Sequence, residues 1–156
     1  MYSPNMTDNE SKIINYAITR YLAAREHSRH ELLNKLLRKE HDALLSQQQI
    51  DKFSQADIQS DQRFAESLVR IRINKGIGEQ RIRGELKEHN IAQEHISHAF
   101  EVQDVDWFGL VLKVYIKKYG DKPAPSWQEQ QKRSRFLQYR GFSYEQIHYV
   151  NQVFAK

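Results

Sequence analysis

Apolar residues recur along this chain at a spacing that repeats about every fifty residues. Within one copy they are separated by four residues inside a segment and by five across a break. One copy carries Ile82, Leu86, Ile91, Ile96 and Phe100, a later copy carries Leu137, Phe142 and Ile147, and the first carries Leu32, Leu36 and Ile50. Steps of four and five residues are typical of short helices joined by tight turns. A repeat of this length predicts an array of small helical units.

The first copy departs from the other two, and the pattern predicts extra residues around His41–Leu45. Elsewhere, Phe64, Trp107, Phe136 and Phe142 occupy positions that predict core packing.

Polar residues mark where the predicted helices begin. Serine followed three residues later by Glu or Gln forms a capping box, in which each side chain satisfies the other residue's backbone N–H. The pattern occurs at Ser28, Ser46, Ser126 and Ser143, and Ser60-Asp61 predicts a further start. Gly76 and Gly78 predict a helix end, because glycine readily takes the left-handed turn found there.

No six-residue stretch alternates cleanly between apolar and polar residues, so we predict an all-α protein of about nine helices in three triplets. We expect residues 1–10 to form a flexible tail, 11–58 to form helical repeat 1, 59–103 to form repeat 2 and 104–156 to form repeat 3.

Composition narrows the functional classes. The chain has no cysteine, which excludes disulfides, thiolate catalysis and cysteine-based zinc sites. No apolar run approaches the length that spans a membrane. The first ten residues lack the basic and apolar regions of a signal peptide, so we expect a cytoplasmic protein without membrane association.

Charge is distributed in blocks of alternating sign. The 156 residues carry a net charge of +4. Residues 11–40 carry +4, 41–61 carry −3, 62–87 carry +4, 88–106 carry −5 and 107–140 carry +6. Three basic patches separated by acidic blocks favour binding to an anionic partner without indiscriminate attraction. The alternative is that both signs only decorate solvated helix faces.

Four segments resemble the motifs of one known family, in the expected order. They are Tyr21–Ser28 with Glu31-Leu32, Asp61–Ala65, Gly78–Leu86, and Arg135–Phe142 with Ile147. They resemble the RecX family, regulators of the bacterial RecA recombinase. Lys39-Glu-His41 departs from the Lys-Gly-Phe that many members carry there.

The resemblance implies three tandem three-helix repeats in an elongated, curved array. It also implies binding in the helical groove of RecA filaments and inhibition of their ATPase, strand-exchange and coprotease activities, with effects on DNA repair, recombination and the SOS response. We expect a monomer that needs no cofactor or metal, with weak, non-specific binding to single- or double-stranded DNA.

Basic side chains are the candidate contacts with RecA or DNA, because guanidinium and ammonium groups bind phosphates and carboxylates. They are Arg25, Arg29, Lys35, Arg70, Arg72, Lys75, Arg81, Arg83, Lys87, Lys117, Lys118, Lys132, Arg133, Arg135 and Arg140. Arg81 is also expected to pair with Glu85 one helical turn later. Arg81 and Arg83 point about 200° apart on a helix and so cannot both face one partner.

Aromatic residues near these cations have two interpretations. In one interpretation they stack on unpaired bases. In the other they are half-buried packing residues with a solvated polar tip. The residues are Trp127, Tyr119, Tyr139 and Tyr144.

Enzymatic and metal-binding interpretations find little support. Gly76-Ile-Gly78 lacks the rest of a phosphate-binding loop. His27 with His30, and His95 with His98, are spaced as metal ligands could be, but surface histidines explain them better, and we expect no catalytic residue. Two other functions remain open: a tandem helix-turn-helix-like DNA-binding protein, and a passive scaffold with a curved surface.

Overall fold

Nine helices make up the secondary structure of residues 4–155, the part of the chain that the computed structural model describes. They are α1 (Pro4–Ala24), α2 (Arg29–Arg38), α3 (Ala43–Gln55), α4 (Asp61–Asn74), α5 (Glu79–Glu88), α6 (Gln93–Gln103), α7 (Trp107–Tyr119), α8 (Trp127–Tyr139) and α9 (Tyr144–Val153). No strand occurs in this range, which confirms the all-α prediction.

The helices form three groups of three. Extensive helix–helix packing within residues 4–155 joins α1, α2 and α3, then α4, α5 and α6, then α7, α8 and α9. Each group encloses its own hydrophobic core. We call these groups repeats 1, 2 and 3. The prediction of three tandem three-helix repeats is confirmed.

The tandem order gives the molecule an elongated shape. Its accessible surface is 9968 Å², whereas a compact monomer of 18.6 kDa exposes about 8,200 Å². Small cores placed in series bury less surface than one large core. The half-buried Trp107 links repeats 2 and 3, since it packs against the cores of both.

The repeated apolar spacing corresponds to the buried positions of the cores. Leu32, Leu36, Ile82, Leu86 and Leu137 are all essentially inaccessible to solvent. Phe64 and Phe142 are buried as predicted, and Trp107 and Phe136 are half-buried against core residues.

The predicted insertion around His41–Leu45 is wrong. Helices α2 and α3 begin fourteen residues apart, at Arg29 and Ala43, and α5 and α6 have the same separation. The first copy therefore keeps steps of four, five, five and four residues, with His41 and Ser46 at two of the places. Because His41 and Ser46 are polar, the apolar spacing looked as if extra residues had been inserted, although the repeat is continuous.

Ser46 is a polar residue at a position of the repeat where the other copies have an apolar one. Its predicted role as a helix cap is wrong, because α3 begins three residues earlier, with the Asp42 carboxylate accepting the Leu45 N–H at 2.9 Å. The Ser46 side chain is instead buried inside α3, where its hydroxyl has no hydrogen-bond partner. The equivalent position in repeat 2 is the buried Ile96.

Serine caps begin several of the other helices. Ser28, Ser60, Ser126 and Ser143 each accept a backbone N–H three residues later. Only the Ser143 cap forms the complete capping box within the described residues, with Gln146 returning a bond to the Ser143 N–H at 2.8 Å. The carboxylates expected to complete the boxes at Ser28 and Ser126 bind arginines instead.

Residues 4–10, expected in the flexible tail, belong to α1; residues 1–3 lie outside the described range. Pro4 opens the helix, where its missing N–H removes no intrahelical bond. Six residues later the helix is tied to the repeat, since the Glu10 carboxylate accepts the Asp42 N–H at 3.0 Å. None of the helices in the described residues is both long and apolar enough to span a membrane.

Candidate functional site

The predicted contact residues of repeat 1 are engaged within the molecule. Arg25 donates two hydrogen bonds to the Glu31 carboxylate, at 3.0 and 2.6 Å. Arg29 binds Asp51 and donates to the Ser54 hydroxyl at 2.6 Å. Lys35 lies 2.8 Å from the ring nitrogen Nε2 of His27. All three side chains therefore already have a partner within repeat 1.

The environment of His27 differs from the surface position expected for it. The ring is almost completely buried, with Nδ1 donating to the Arg25 carbonyl at 3.0 Å and Nε2 accepting from Lys35. Burial lowers the pKa of His27, because the charged ring would lose its hydration. His27 is therefore a neutral packing residue. The other candidate ligands bind amide or carboxylate groups, and no set of three or more metal-ligating side chains occurs among residues 4–155.

The predicted pairing of Arg81 with Glu85 is wrong. Glu85 instead accepts two parallel hydrogen bonds from Arg72, which reaches across from α4 at 2.8 and 2.7 Å. These bonds lower the pKa of the Glu85 carboxyl group. The Arg81 guanidinium lies 5.2 Å from the ring centre of Tyr139 in repeat 3. Arg83 pairs with Glu79 and covers the Phe100 ring at 4.4 Å.

Two predicted arginines of repeat 3 also have structural roles. Arg133 is only 13 % exposed and binds both the Glu129 carboxylate at 3.1 Å and the Tyr115 hydroxyl at 2.8 Å. Arg140 donates to the Lys75 carbonyl at 3.0 Å, which ties the end of α8 to the end of α4.

The remaining predicted cations are exposed and form no ion pair within the described residues. They are Arg70, Lys75, Lys87, Lys117, Lys118, Lys132 and Arg135. All of them lie in repeats 2 and 3. The structure thus divides the fifteen candidates into groups that hold the fold together and groups whose charge is available to a partner.

Repeats 2 and 3 meet where two tight turns dock backbone to backbone. The Gly78 N–H donates to the Arg140 carbonyl at 2.8 Å, and the Gln80 N–H donates to the Gly141 carbonyl at 3.1 Å. A Cβ atom on Gly78 would lie 2.4 Å from the Gly141 carbonyl carbon. Glycine at this turn therefore permits the close approach that sets the two repeats against each other.

Beside this junction the two repeats enclose a basic cleft of about 470 Å³. We define the basic cleft by its five cations and its apolar floor. The cations are Lys75, Lys113, Lys117, Lys118 and Arg140, and the floor consists of Ile73, Leu110, Val114 and Phe136. No carboxylate is among the described residues that line it. Gly76, at a φ of +77°, ends α4 and leaves room for Val114 of α7.

Lys113 is the member of the cleft that the sequence analysis missed. It lies one turn before Lys117 on α7, so both lysines share a face with Leu110 and Val114. This mixed stripe of apolar and basic residues is visible in the sequence. Its meaning depends on the end of α4, which lies opposite it only in the folded chain.

The four candidate stacking residues separate into two kinds. Trp127, Tyr139 and Tyr144 are 69 %, 77 % and 81 % exposed. Tyr119 is half-buried and packs against Tyr115 and Phe136 with ring centres 5.3 and 5.7 Å apart. The packing interpretation holds for Tyr119, and the other three rings have open faces or edges.

Three family models together match most of the chain. Residues 15–53 match the first three-helix domain of RecX, residues 60–99 match the second, and residues 104–150 match the third. Among curated proteins, the regulatory protein RecX of Vibrio cholerae is 40 % identical over 132 residues, which cover 85 % of this chain and 87 % of that protein. RecX of Chromohalobacter salexigens is 36 % identical over 131 residues, covering 84 % and 86 % of the two chains.

Solved structures agree at the level of the fold. A crystal structure of regulatory protein RecX aligns with a TM-score of 0.78 at 21 % identity, covering 94 % of this chain and 73 % of that one. The crystal structure of RecX from Lactobacillus salivarius gives 0.75 at 22 % identity, with coverage of 93 % and 96 %. Since all three domain models match in order and relatives above 30 % identity span most of both sequences, this chain belongs to the RecX family of regulatory proteins.

Proposed function

We propose that this chain is a non-enzymatic regulator that binds RecA nucleoprotein filaments in their helical groove. Bound there, it inhibits the ATPase, recombinase and coprotease activities of the filament, and so modulates DNA repair and the SOS response. Family membership supports the regulatory role. The observation that carries the binding mode is the row of small, separate cores with unpaired cations on repeats 2 and 3.

An elongated array suits a periodic partner. Helix α4 of repeat 2 and helix α7 of repeat 3 are each about 20 Å long, so cations on successive repeats can reach successive subunits or phosphates. Once one contact forms, the others bind at high effective concentration, and individually weak contacts add to useful affinity. A ligand held at several points across a groove resists the subunit movements that ATP turnover requires.

The exposed cations of repeats 2 and 3 support a main contact on these two repeats. Arg70, Lys117 and Lys132 are free to engage carboxylates or phosphates, whereas Arg25 and Arg29 would first have to break bonds with their own carboxylates. Repeat 1 then serves chiefly to extend the array.

Weak, non-specific binding to single-stranded DNA is a second activity that one observation favours. The exposed rings of Trp127, Tyr139 and Tyr144 lie on repeat 3 together with Arg135 and Lys132. Stacked bases and neutralised phosphates are the usual combination in sequence-tolerant binding to single strands. Such contacts would add to the affinity for a nucleoprotein filament, whose DNA is part of the ligand.

Titration of the protein into RecA, single-stranded DNA and ATP, following ATP hydrolysis, tests the proposal. Binding to RecA alone and to each form of DNA is measured in parallel. We expect inhibition that requires the assembled filament. Tight, sequence-selective binding to duplex DNA without inhibition would instead support a tandem helix-turn-helix-like DNA-binding protein. Absence of both effects would leave the scaffold interpretation.

A further inference from the structure

We propose that the basic cleft binds an acidic, extended segment of a partner protein and seats one of its apolar side chains on the cleft floor. This inference deepens the proposed function and rests on it, because it names the chemistry of one contact that a regulated filament would supply.

Charge is the first argument. Lys113 and Lys117 lie one turn apart on α7, and Lys75 faces them from the end of α4. Like charges four residues apart on a helix repel each other, and no carboxylate lines this part of the described structure to offset the repulsion. A ligand carrying several carboxylates would relieve the repulsion on binding.

The apolar floor of the cleft favours a ligand that carries an apolar group as well as carboxylates. Ile73, Leu110, Val114 and Phe136 remain only half-buried between two repeats. Covering apolar surface removes it from water, which favours a ligand with an aliphatic or aromatic side chain between its charges. A volume of about 470 Å³ falls within the range of roughly 300–1,000 Å³ that is usual for small binding pockets.

The surroundings of the Phe136 ring in the cleft disfavour an unpaired base as the ligand. Phe136 is the aromatic residue that lines it, and Lys118 lies 4.3 Å and Arg140 5.2 Å from its ring centre, while Tyr119 meets the ring edge-to-face at 5.7 Å. These neighbours cover part of the ring, which leaves less open face for a stacked base than the exposed rings of repeat 3 offer. The exposed aromatic residues of repeat 3 lie outside the cleft.

Fluorescence anisotropy with defined probes tests the inference on the full chain. The first probe is a labelled eight-residue peptide of Asp and Glu with a central Leu and Phe. The second has the same charges but Ser in place of both apolar residues, and the third is a single-stranded oligonucleotide of equal net charge. We expect the second peptide to bind about tenfold more weakly than the first, since it forfeits the contact with the floor.

Charge variants show where the peptide binds. Lys113→Gln with Lys117→Gln should weaken binding of the first peptide about tenfold. Lys52→Gln with Lys122→Gln removes the same charge from exposed positions outside the cleft that are not among the candidate contacts, and should change binding less than twofold. Val114→Thr, which nearly keeps the shape of the floor, should reduce the preference for the apolar peptide. Thermal unfolding of each variant confirms that it is folded.

Three results would overturn the inference: equal losses in both double variants, equal affinity for the two peptides, or displacement of the first peptide by the oligonucleotide with tighter binding to the cleft. The ATPase titration separates this inference from the proposed function. Filament inhibition that survives in Lys113→Gln, Lys117→Gln, without peptide binding, refutes the cleft alone. Peptide binding by a protein that leaves the filament unaffected refutes the regulatory proposal.

Discussion

Arg70 and Arg72 lie two positions apart on α4, but their guanidinium groups have different surroundings. Arg72 forms two hydrogen bonds with the Glu85 carboxylate of α5, and both side chains are partly shielded from solvent. Arg70 is exposed and has no ion pair within the described residues. The two arginines therefore make different contributions, one to the stability of repeat 2 and the other to its surface charge.

Substitution separates the two roles. We expect Arg72→Ala to lower the free energy of unfolding by about 1 kcal/mol, because the pair is partly shielded and doubly hydrogen-bonded. Arg70→Ala, the matched control, should change it by less than about 0.5 kcal/mol. Urea denaturation measures both values. In the filament assay Arg70 is the residue that matters: Arg70→Glu should weaken inhibition while the protein stays folded. Wild-type inhibition by a folded Arg70→Glu variant would contradict its placement in the contact.

The same pair predicts a dependence of stability on pH. Hydrogen bonds from Arg72 lower the pKa of Glu85 in the folded state. The stabilisation is thus fully present above the unfolded pKa of about 4.3 and is lost as the pH falls through the lower folded pKa. Unfolding free energies measured between pH 6 and pH 3 should decline less steeply in Glu85→Gln than in the wild type. Identical slopes would show that the carboxylate has no effective partner.

At the scale of helices, the connecting turns determine how neighbouring elements meet. The turn after α4 and the start of α5 donate two backbone hydrogen bonds to the turn after α8, and Gly78 and Gly141 allow the main chains to touch. Helix–helix packing is more extensive within each repeat than between repeats. The orientation of repeat 3 relative to repeat 2, and with it the shape of the basic cleft, depends on this contact.

Two glycine substitutions test the contact. Gly78 has a φ of −81°, which alanine adopts without strain, so any cost of Gly78→Ala comes from the methyl group meeting the Gly141 backbone. We expect a loss of about 1–3 kcal/mol. Gly84→Ala is the control: the site lies within α5 with open space around it, and alanine should stabilise the helix by about 0.5–1 kcal/mol. Denaturation midpoints measure both changes. A harmless Gly78→Ala would show that the turns are not in close contact.

At the scale of the molecule, three small cores in series imply that stability is largely local to each repeat. Phe100 of repeat 2 and the half-buried Trp107 make an apolar contact between the second and third cores, with ring centres 5.9 Å apart. In arrays of this kind each unit contributes its own stability together with an interface term.

Leu86→Ala tests this modularity, since Leu86 is 0 % exposed within the core of repeat 2. The cavity should cost about 2–5 kcal/mol. Native-state hydrogen exchange should show the largest loss of protection in α4, α5 and α6, with smaller losses in α1–α3. Leu36→Ala, at the equivalent position of repeat 1, should give the reverse distribution. Uniform loss of protection across the chain in both variants would indicate a single cooperative unit.

Periodicity was a reliable guide to the interior but not to polar residues at core positions. The apolar steps identified Leu32, Leu86 and Leu137 because burial repeats with the geometry of a helix. The same reasoning failed at His41 and Ser46, where polar residues stand at places of the repeat. The only sign in the sequence that Ser46 would be buried is its place in the repeat, because its own polarity favours a helix start.

Charge was the feature that sequence alone described least well. Blocks of basic residues are visible along the chain, but whether a cation is free depends on the carboxylate that folding brings near it. Arg72 and Glu85 are thirteen residues apart on different helices, and Arg140 and Lys75 are sixty-five apart. Spacing within a single helix, which suggested Arg81 and Glu85, could not reveal either contact.

The sequence by itself determined an all-helical chain of three tandem repeats and its membership of the RecX family, since helix periodicity, caps and motifs are local properties. Tertiary structure alone decided which cations hold the fold and which face solvent, and it created the basic cleft from the end of α4, the outer face of α7 and the end of α8. Those segments are distant in the chain, and only the docking of two turns brings them together.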